Sequence, residues 1–337
     1  MGRKEAIARV ANAVGLSATA RVLAPGRCLR ILAYHRVLDI PPDGFPFDLE
    51  LVSACTADFR QQMAHLRKCW SPISLSAALD CLDAGRELPA RAVVVSFDDG
   101  FSDNYTHAYP ILREFDIPAV IFVSTYFVDA QLTLWFDQLA HAVLTTAQRT
   151  LDLPWQRALF VPPDEAGRRV LLADLLRRLK TTENEQRLAL LQSVAAQLRC
   201  PPPARPHALS APLSWEQIAD MASQGIEIGS HTLTHPILTT LDAPGVRREL
   251  ADSRARIETQ LRRPVTLLAY PVGGRGSFNA NIAAMAHSIG YRAACCYISG
   301  ANPIARLERF ALRRIAVERY VPIGHFKASL ALPALFA

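Results

Sequence analysis

The 337-residue chain lacks several features that would settle its class at once. No stretch is apolar enough, for long enough, to make a transmembrane helix. No Cys-x-x-Cys pair occurs. The seven cysteines are odd in number and scattered, apart from the adjacent Cys295 and Cys296. This pattern suggests neither a disulfide framework nor a thiolate zinc site. Free thiols in a reducing compartment are the expectation. No basic run interleaved with aromatics is present, and the formal charge of +6 is dispersed, so no nucleic-acid partner is expected. A mild positive excess of this kind suits an anionic membrane surface, a phosphorylated glycolipid or an acidic polymer. Internal repeats are also absent.

The first residues imitate an export signal without completing one. Arg3 and Lys4 precede a small-residue stretch from Val10 to Ala20, but Asn12, Gly15, Ser17 and Thr19 interrupt its apolar core. Residues 1–27 therefore read as a helical segment with Ile7, Val10 and Val14 on one face. Such a helix packs on its own domain or makes a peripheral membrane contact. The expected location is the cytoplasm or the inner face of the membrane.

Half of the residues are apolar, ample for a large core. Strand-like runs alternate with helical patterns about seven times. The strands read as Cys28 to Tyr34, Val93 to Phe97, the first part of Ala119 to Val128, Ile226 to Ser230, Val265 to Tyr270, Arg292 to Tyr297 and Leu312 to Val317. Repeated strand and helix argue for an α/β barrel or an open parallel sheet. Asp103 is a candidate N-cap for a helix over 104–115. Ser214 and Gln217 form a capping box at the start of another helix. From Gln131 to about Pro212 the texture turns rich in Leu, Arg, Gln and Ala. That segment reads as a helical insertion within a barrel domain spanning 28–337, with Trp135 and Trp155 as packing residues.

Unusual residues gather where these strands end. Ser96-Phe97-Asp98-Asp99-Gly100 drives two carboxylates against core sequence, which is costly unless they are paired or bind a metal. His231 and His235 have the i, i+4 spacing that sets two imidazoles on one side of a helical turn. His35 closes the first strand, and Tyr270-Pro271-Val272-Gly273 follows the fifth. In α/β barrels the carboxyl ends of the strands carry the chemistry. Two histidines and one aspartate would leave a divalent ion an open position.

Ser-Phe-Asp-Asp-Gly at 96–100 and His-Thr-Leu-Thr-His-Pro at 231–236 resemble the polysaccharide deacetylase family, carbohydrate esterase family 4 or the NodB-homology domain. The resemblance covers roughly His35 to Val317. It implies a distorted (β/α)7 barrel with a helical insertion. Asp98 would be the general base; Asp99, His231 and His235 would hold the metal. The stretch Tyr270, Pro271, Val272 and Gly273 would line the site, with main-chain N–H groups near Tyr270 to Val272 aiding the oxyanion. The metal would be Zn2+, or Co2+, Ni2+ or Fe2+ in the same donor set.

Two motifs depart from the common pattern. Ala269 stands where many members carry the arginine that orients the base, and Arg313 or Arg314 could substitute. A C-terminal Leu-x-His is missing, and His325 does not match it. Ala33-Tyr34-His35-Arg36-Val37 instead resembles the tyrosine-histidine motif of the poly-N-acetylglucosamine deacetylase branch. His35 would then be the general acid, a role suited to imidazole. His65, His107, His141, His207 and His287 read as structural or exposed.

The expected activity is metal-dependent removal of acetyl groups from an N-acetylated sugar, in a polysaccharide or a lipid-linked glycan precursor. A small non-glycan amide is the alternative, favoured by a deep closed pocket. A non-catalytic glycan-binding protein would show damaged metal ligands, and here the ligand set is intact.

Overall fold

Seven apolar runs form parallel strands in a closed ring. In the computed structural model, which describes residues 28–42, 44–202 and 205–336, they are β1 (Cys28–Tyr34), β2 (Ala92–Phe97), β3 (Ala119–Val123), β4 (Glu227–Ser230), β5 (Leu267–Ala269), β6 (Ala293–Ser299) and β7 (Leu312–Ala316). Each strand pairs with the next in sequence, and β7 returns to β1 to close the barrel. The expected seven-stranded α/β barrel is the fold observed. The proposed helix within residues 1–27 lies outside the described residues.

Period-two alternation sorts the strand residues into two cores. Ile31, Val94, Phe122, Leu267, Ala269, Cys295 and Leu312 face one core, joined by Leu75, Ala78 and Leu79 of the helix Leu75–Asp83. Leu32, Val95, Phe97, Ile121, Leu268, Ala294 and Ile315 face the other, beneath the surrounding helices. Burying one such Leu, Ile or Phe side chain stabilises the fold by about 1.5–3 kcal/mol. Packing in the barrel is tight at Gly229 on β4. A Cβ there would lie 2.5 Å from the Phe122 ring, so Gly229→Ala would force β3 and β4 apart.

Local rules explain most of the connecting helices. The capping box at Ser214 and Gln217 is present, and it opens the helix Trp215–Ser223. The helix Leu75–Asp83 is capped twice: Ser74 accepts from the Ala77 N–H, and Glu227 on β4 accepts from the N–H groups of Leu75 and Ser76. One long-range carboxylate thus ties this helix to the barrel wall.

Two local expectations are corrected. Asp103 does not cap a helix. It accepts two bonds from the Arg36 guanidinium and one from the Val37 N–H, and the following turn, Asn104–Ala108, is a π-helix. A buried charge-assisted pair, with two guanidinium N–H groups on one carboxylate oxygen, outweighs a cap worth about 1 kcal/mol. The segment 131–212 is also not purely helical. Between the helices Trp135–Thr145 and Glu165–Leu179 it carries an antiparallel hairpin, Thr150–Leu153 with Gln156–Phe160. Trp135 is buried as expected, whereas Trp155 stands 39 % exposed at the hairpin turn, beneath Arg178. The segment has an apolar core of its own, which includes Leu139, Leu172, Leu175 and Val194.

Candidate metal centre and active site

Strand parity delivers the first carboxylate. Ala92, Val94, Ser96 and Asp98 occupy alternate positions, so Asp98 continues the face of β2 that looks into the barrel. Its own N–H donates to the Tyr34 carbonyl, which extends the β1–β2 ladder by one bond. Asp99 then breaks the strand with φ of 75°, and Gly100 follows at 84°. Gly100 is required twice over, because a Cβ would press on Val123 at 3.1 Å and the φ is left-handed.

Asp98 is 2 % exposed and is held by Arg314 on β7, 1 % exposed, through bonds of 2.7 and 2.6 Å. The third guanidinium arm donates to the Cys296 carbonyl. Burial pushes the Asp98 carboxyl up, but the neighbouring Arg314 charge overrides it and holds the group below its usual range. Of the two candidate arginines, Arg314 is the one that reaches Asp98, and Arg313 is exposed.

Asp99, His231 and His235 converge. The Nε2 atoms of His231 and His235 lie 3.4 and 3.2 Å from the same oxygen, Asp99 Oδ1. One ligand atom from each residue falls within 4.8 Å of the others, and all three side chains are buried. The helical turn expected between the two histidines is not formed. Residues 231–235 are irregular, and Thr232 and His235 adopt φ of 68° and 58°. Glu249 holds this loop from the helix Ala243–Leu261, accepting from the N–H groups of Leu233 and Thr234 and from the Thr234 hydroxyl. Asp99, Thr232, His235 and Val272 supply four of the ten non-glycine residues with left-handed φ among the described residues. Such backbone costs energy and persists where the surroundings impose it.

These residues fit a divalent cation. Asp99 Oδ2 is buried with no hydrogen-bond partner. His231 Nδ1–H donates to the Ala269 carbonyl at 2.8 Å, which leaves Nε2 as the lone-pair nitrogen, aimed at a carboxylate oxygen. Two ring nitrogens converging on one anionic oxygen call for a positive charge between them. Burial opposes ionisation of Asp99, but both histidines pull its carboxyl well below the usual range. Burial also opposes protonation of the imidazoles. The Asp98 and Asp99 charges still raise His231, whereas His235 stays lowered. On the outer side, the Trp135 indole N–H donates to the His235 carbonyl at 3.3 Å, and Phe136 packs edge-on to the His235 ring.

A pocket of about 200 Å³ unites the predicted and unpredicted residues. Its lining holds His35, Asp98, Asp99, His231, His235 and Val272. It also holds Trp135 and Phe136 from the segment 131–212 and Tyr297 from β6, none of which was expected at the site. Asp48, Glu50 and Glu318 add carboxylates.

The loop after β5 is corrected in detail. Of Tyr270, Pro271, Val272 and Gly273, only Val272 lines the pocket. The Tyr270 ring stacks on Phe278 in the outer core, and its hydroxyl donates to the Phe310 carbonyl. Its N–H is spent on the Cys295 carbonyl, and that of Gly273 on the Pro271 carbonyl. Pro271 has no N–H, so among the described residues the Val272 N–H is the one donor of this loop left free.

The ring of parallel strands carries at its carboxyl end two histidines, a paired aspartate and a free aspartate oxygen, a donor set that fits a divalent cation. The Polysaccharide deacetylase family model matches residues 85–294, and the chain belongs to that family. The Escherichia coli K12 poly-beta-1,6-N-acetyl-D-glucosamine N-deacetylase is 39 % identical over 90 residues, 26 % of this chain and 13 % of that protein. The chain thus spans a small part of the curated relative's length. Among solved structures, the Streptococcus pyogenes deacetylase PplD superposes with a TM-score of 0.58 at 18 % identity, covering 87 % of this chain and 94 % of that one. IcaB from Ammonifex degensii gives 0.54 at 20 % identity, covering 91 % and 98 %.

Proposed function

We propose that this protein is a zinc-dependent N-deacetylase that removes acetyl groups from an N-acetylated amino sugar, in a polysaccharide or a lipid-linked glycan precursor. The observation that carries the reading is the Asp99 carboxylate, with two imidazole nitrogens on one oxygen and the other oxygen buried and free, beside the Arg314-clamped Asp98. Asp99, His231 and His235 would hold a divalent cation, which when bound would acidify water and polarise a carbonyl.

Asp98, kept ionised by Arg314, accepts a proton from the attacking water. The water oxygen bonds to the acetyl carbon, and the Val272 N–H is the main-chain donor left for the carbonyl oxygen. The C–N bond then breaks, its electron pair stays on nitrogen, and His35 gives that nitrogen a proton. Acetic acid and a free amine leave, the acid ionising to acetate in solvent; solvent takes the proton from Asp98 and restores the one on His35. The His35 ring has no hydrogen-bond partner among the described residues and lines the pocket, as a proton donor to substrate must.

Trp135 and Phe136 give the pocket an aromatic wall, and Asp48, Glu50 and Glu318 give it acceptors for sugar hydroxyls. The homology to a poly-β-1,6-N-acetylglucosamine deacetylase supports a polymer of acetylated glucosamine as substrate. All seven cysteines are free, which supports a reducing cytoplasm or the inner membrane face as its place of action. The test is acetate release from poly-β-1,6-N-acetylglucosamine oligomers, with and without chelator, for wild type and Asp98→Asn. Full activity after demetallation, or in the variant, would refute the reading.

A further inference from the structure

The fold gives His35 an unusual main-chain setting. It follows β1 and precedes the two-residue strand Arg36–Val37, so it sits at a break between two ladders. The Tyr34 carbonyl before it accepts from the Asp98 N–H, a main-chain bond, whereas the Val37 N–H after it goes to the Asp103 carboxylate. Both polar groups of His35 itself are also held by side chains. Its N–H donates to Ser53 Oγ at 2.9 Å, and its carbonyl accepts from Asn104 Nδ2 at 2.9 Å.

Those two side chains come from two different elements, both anchored on the Arg36–Val37 segment. Ser53 lies in the short strand Val52–Ala54, which pairs with Arg36–Val37. Asn104 is fully buried and opens the π-helical turn. The turn is anchored at its preceding residue, Asp103, by the buried Arg36 guanidinium, which also lies over the Phe101 ring at 4.3 Å. The third constraint falls on the ring itself. Tyr297 packs against the His35 imidazole, with centroids 5.3 Å apart, and the same ring meets the Arg314 guanidinium at 5.5 Å. Tyr297 lies where β6 is irregular, three residues of β6 (296–298) facing one of β7 (313) between the Cys295 and Ser299 pairings. An irregularity of this kind re-aims a side chain.

We propose that Ser53, Asn104 and Tyr297 form a three-point clamp that positions His35 as proton donor, with Tyr297 also setting its spacing from the Arg314–Asp98 pair. This rests on the reading of His35 as general acid. The charges of Asp98 and Asp99 act on His35, but its ring makes no hydrogen bond to a carboxylate among the described residues, so its aim comes from the main chain and the ring face. The clamp acts on one half-reaction only, the step in which the C–N bond breaks and the nitrogen takes its proton. The attack of water on the acetyl carbon does not use it.

That asymmetry supplies the test. An acetate ester of a nitrophenol forms a stable leaving anion and needs no proton donor, whereas an acetamido sugar does. Steady-state kinetics on both substrates would be measured for wild type, Ser53→Ala, Asn104→Ala, Tyr297→Leu, Tyr297→Phe and His35→Gln. Loss of a general acid lowers the amide rate by about 10²–10⁴-fold. His35→Gln should show this loss while retaining ester turnover. The clamp variants should lower kcat on the amide by about tenfold relative to kcat on the ester, with KM little changed, since a displaced acid still works part of the time. Tyr297→Phe should recover most of what Tyr297→Leu loses, because it restores the ring.

If His35→Gln spares the amide, the general-acid reading itself falls. If His35→Gln is selective and the clamp variants lower amide and ester equally, the three residues are structural and the clamp is refuted. Asn104 is fully buried, so Ser53→Ala and the Tyr297 pair decide the matter if Asn104→Ala does not fold.

Discussion

Arg314→Leu should be among the most damaging single changes outside the metal ligands. The substitution removes a cation that is 1 % exposed from a carboxylate that is 2 % exposed, while nearly preserving volume. Both bonds to Asp98 are lost, together with the bond to the Cys296 carbonyl and the contact with the Tyr297 ring. Breaking one side of a buried ion pair costs about 3–5 kcal/mol, because the remaining charge is left uncompensated. Asp98→Asn likewise leaves the Arg314 cation buried without a counter-charge, so it should cost on the same scale. The double variant should therefore be more stable than the sum of the two predicts, by about 2 kcal/mol or more, within the range for residues in one network. Urea unfolding of wild type, both single variants and the double variant, all demetallated, gives this coupling energy. A coupling below about 0.5 kcal/mol would mean that the pair behaves as independent, solvated groups, and the account of Asp98 would fail. The pH sign follows from the same pair. The folded carboxyl lies below its unfolded value, so the stabilisation is present above about pH 4 and lost as pH falls through the folded value.

Three further outcomes are expected. Zinc added to the demetallated protein should raise its thermal midpoint, by an amount equivalent to about 2.7 kcal/mol at a hundredfold excess over Kd, and His235→Ala should abolish the rise in calorimetry. Trp135→Phe keeps the ring but removes the indole N–H from the His235 carbonyl, so zinc affinity measured by titration calorimetry should fall by about tenfold, and unchanged affinity would reduce Trp135 to packing. Asp137, buried with Ser210 Oγ 2.5 Å from Oδ2 and nothing on Oδ1, is raised by burial to about 7. The folded value exceeds the unfolded one, so this group lowers stability as pH rises from about 4 to about 7. Asp137→Asn should therefore gain on wild type as pH rises through that range, by no more than about 4 kcal/mol, in urea unfolding at pH 5 and pH 8.

The barrel was legible because buried parallel strands are near-continuous apolar runs, and six residues of β2 are buried without exception. The candidate ligand set Asp99, His231 and His235 was legible because charge driven against such runs demands a partner. The i, i+4 spacing of His231 and His235 fixes a number of residues but no backbone path. Here two left-handed residues, held by Glu249, bring the rings together where a helical turn was expected. Glu249 left one trace: it shares the buried face of its helix with Val246, Leu250, Ser253 and Ile257, where a carboxylate is out of place. Asp103 left no such trace. Its partner Arg36 is 67 residues away, and no local pattern links the two.

Strand parity resolves what motif reading left open. Counting by twos from Leu312, whose side chain faces the barrel, selects Arg314 and turns Arg313 to solvent. Counting from Ala269, which also faces in, sends Tyr270 outward, so its ring cannot line the site. The same count from Ile31 passes through Ala33 to His35. Three residues from three strands are therefore placed by one rule, and the rule fails only past the strand end, at Asp99 and Val272, where φ turns positive. Asp98 lies on the last residue that parity governs and Asp99 on the first that it does not. A pair of adjacent carboxylates can then face one pocket in two roles, one clamped by a cation of the barrel and the other left free to hold a cation of its own.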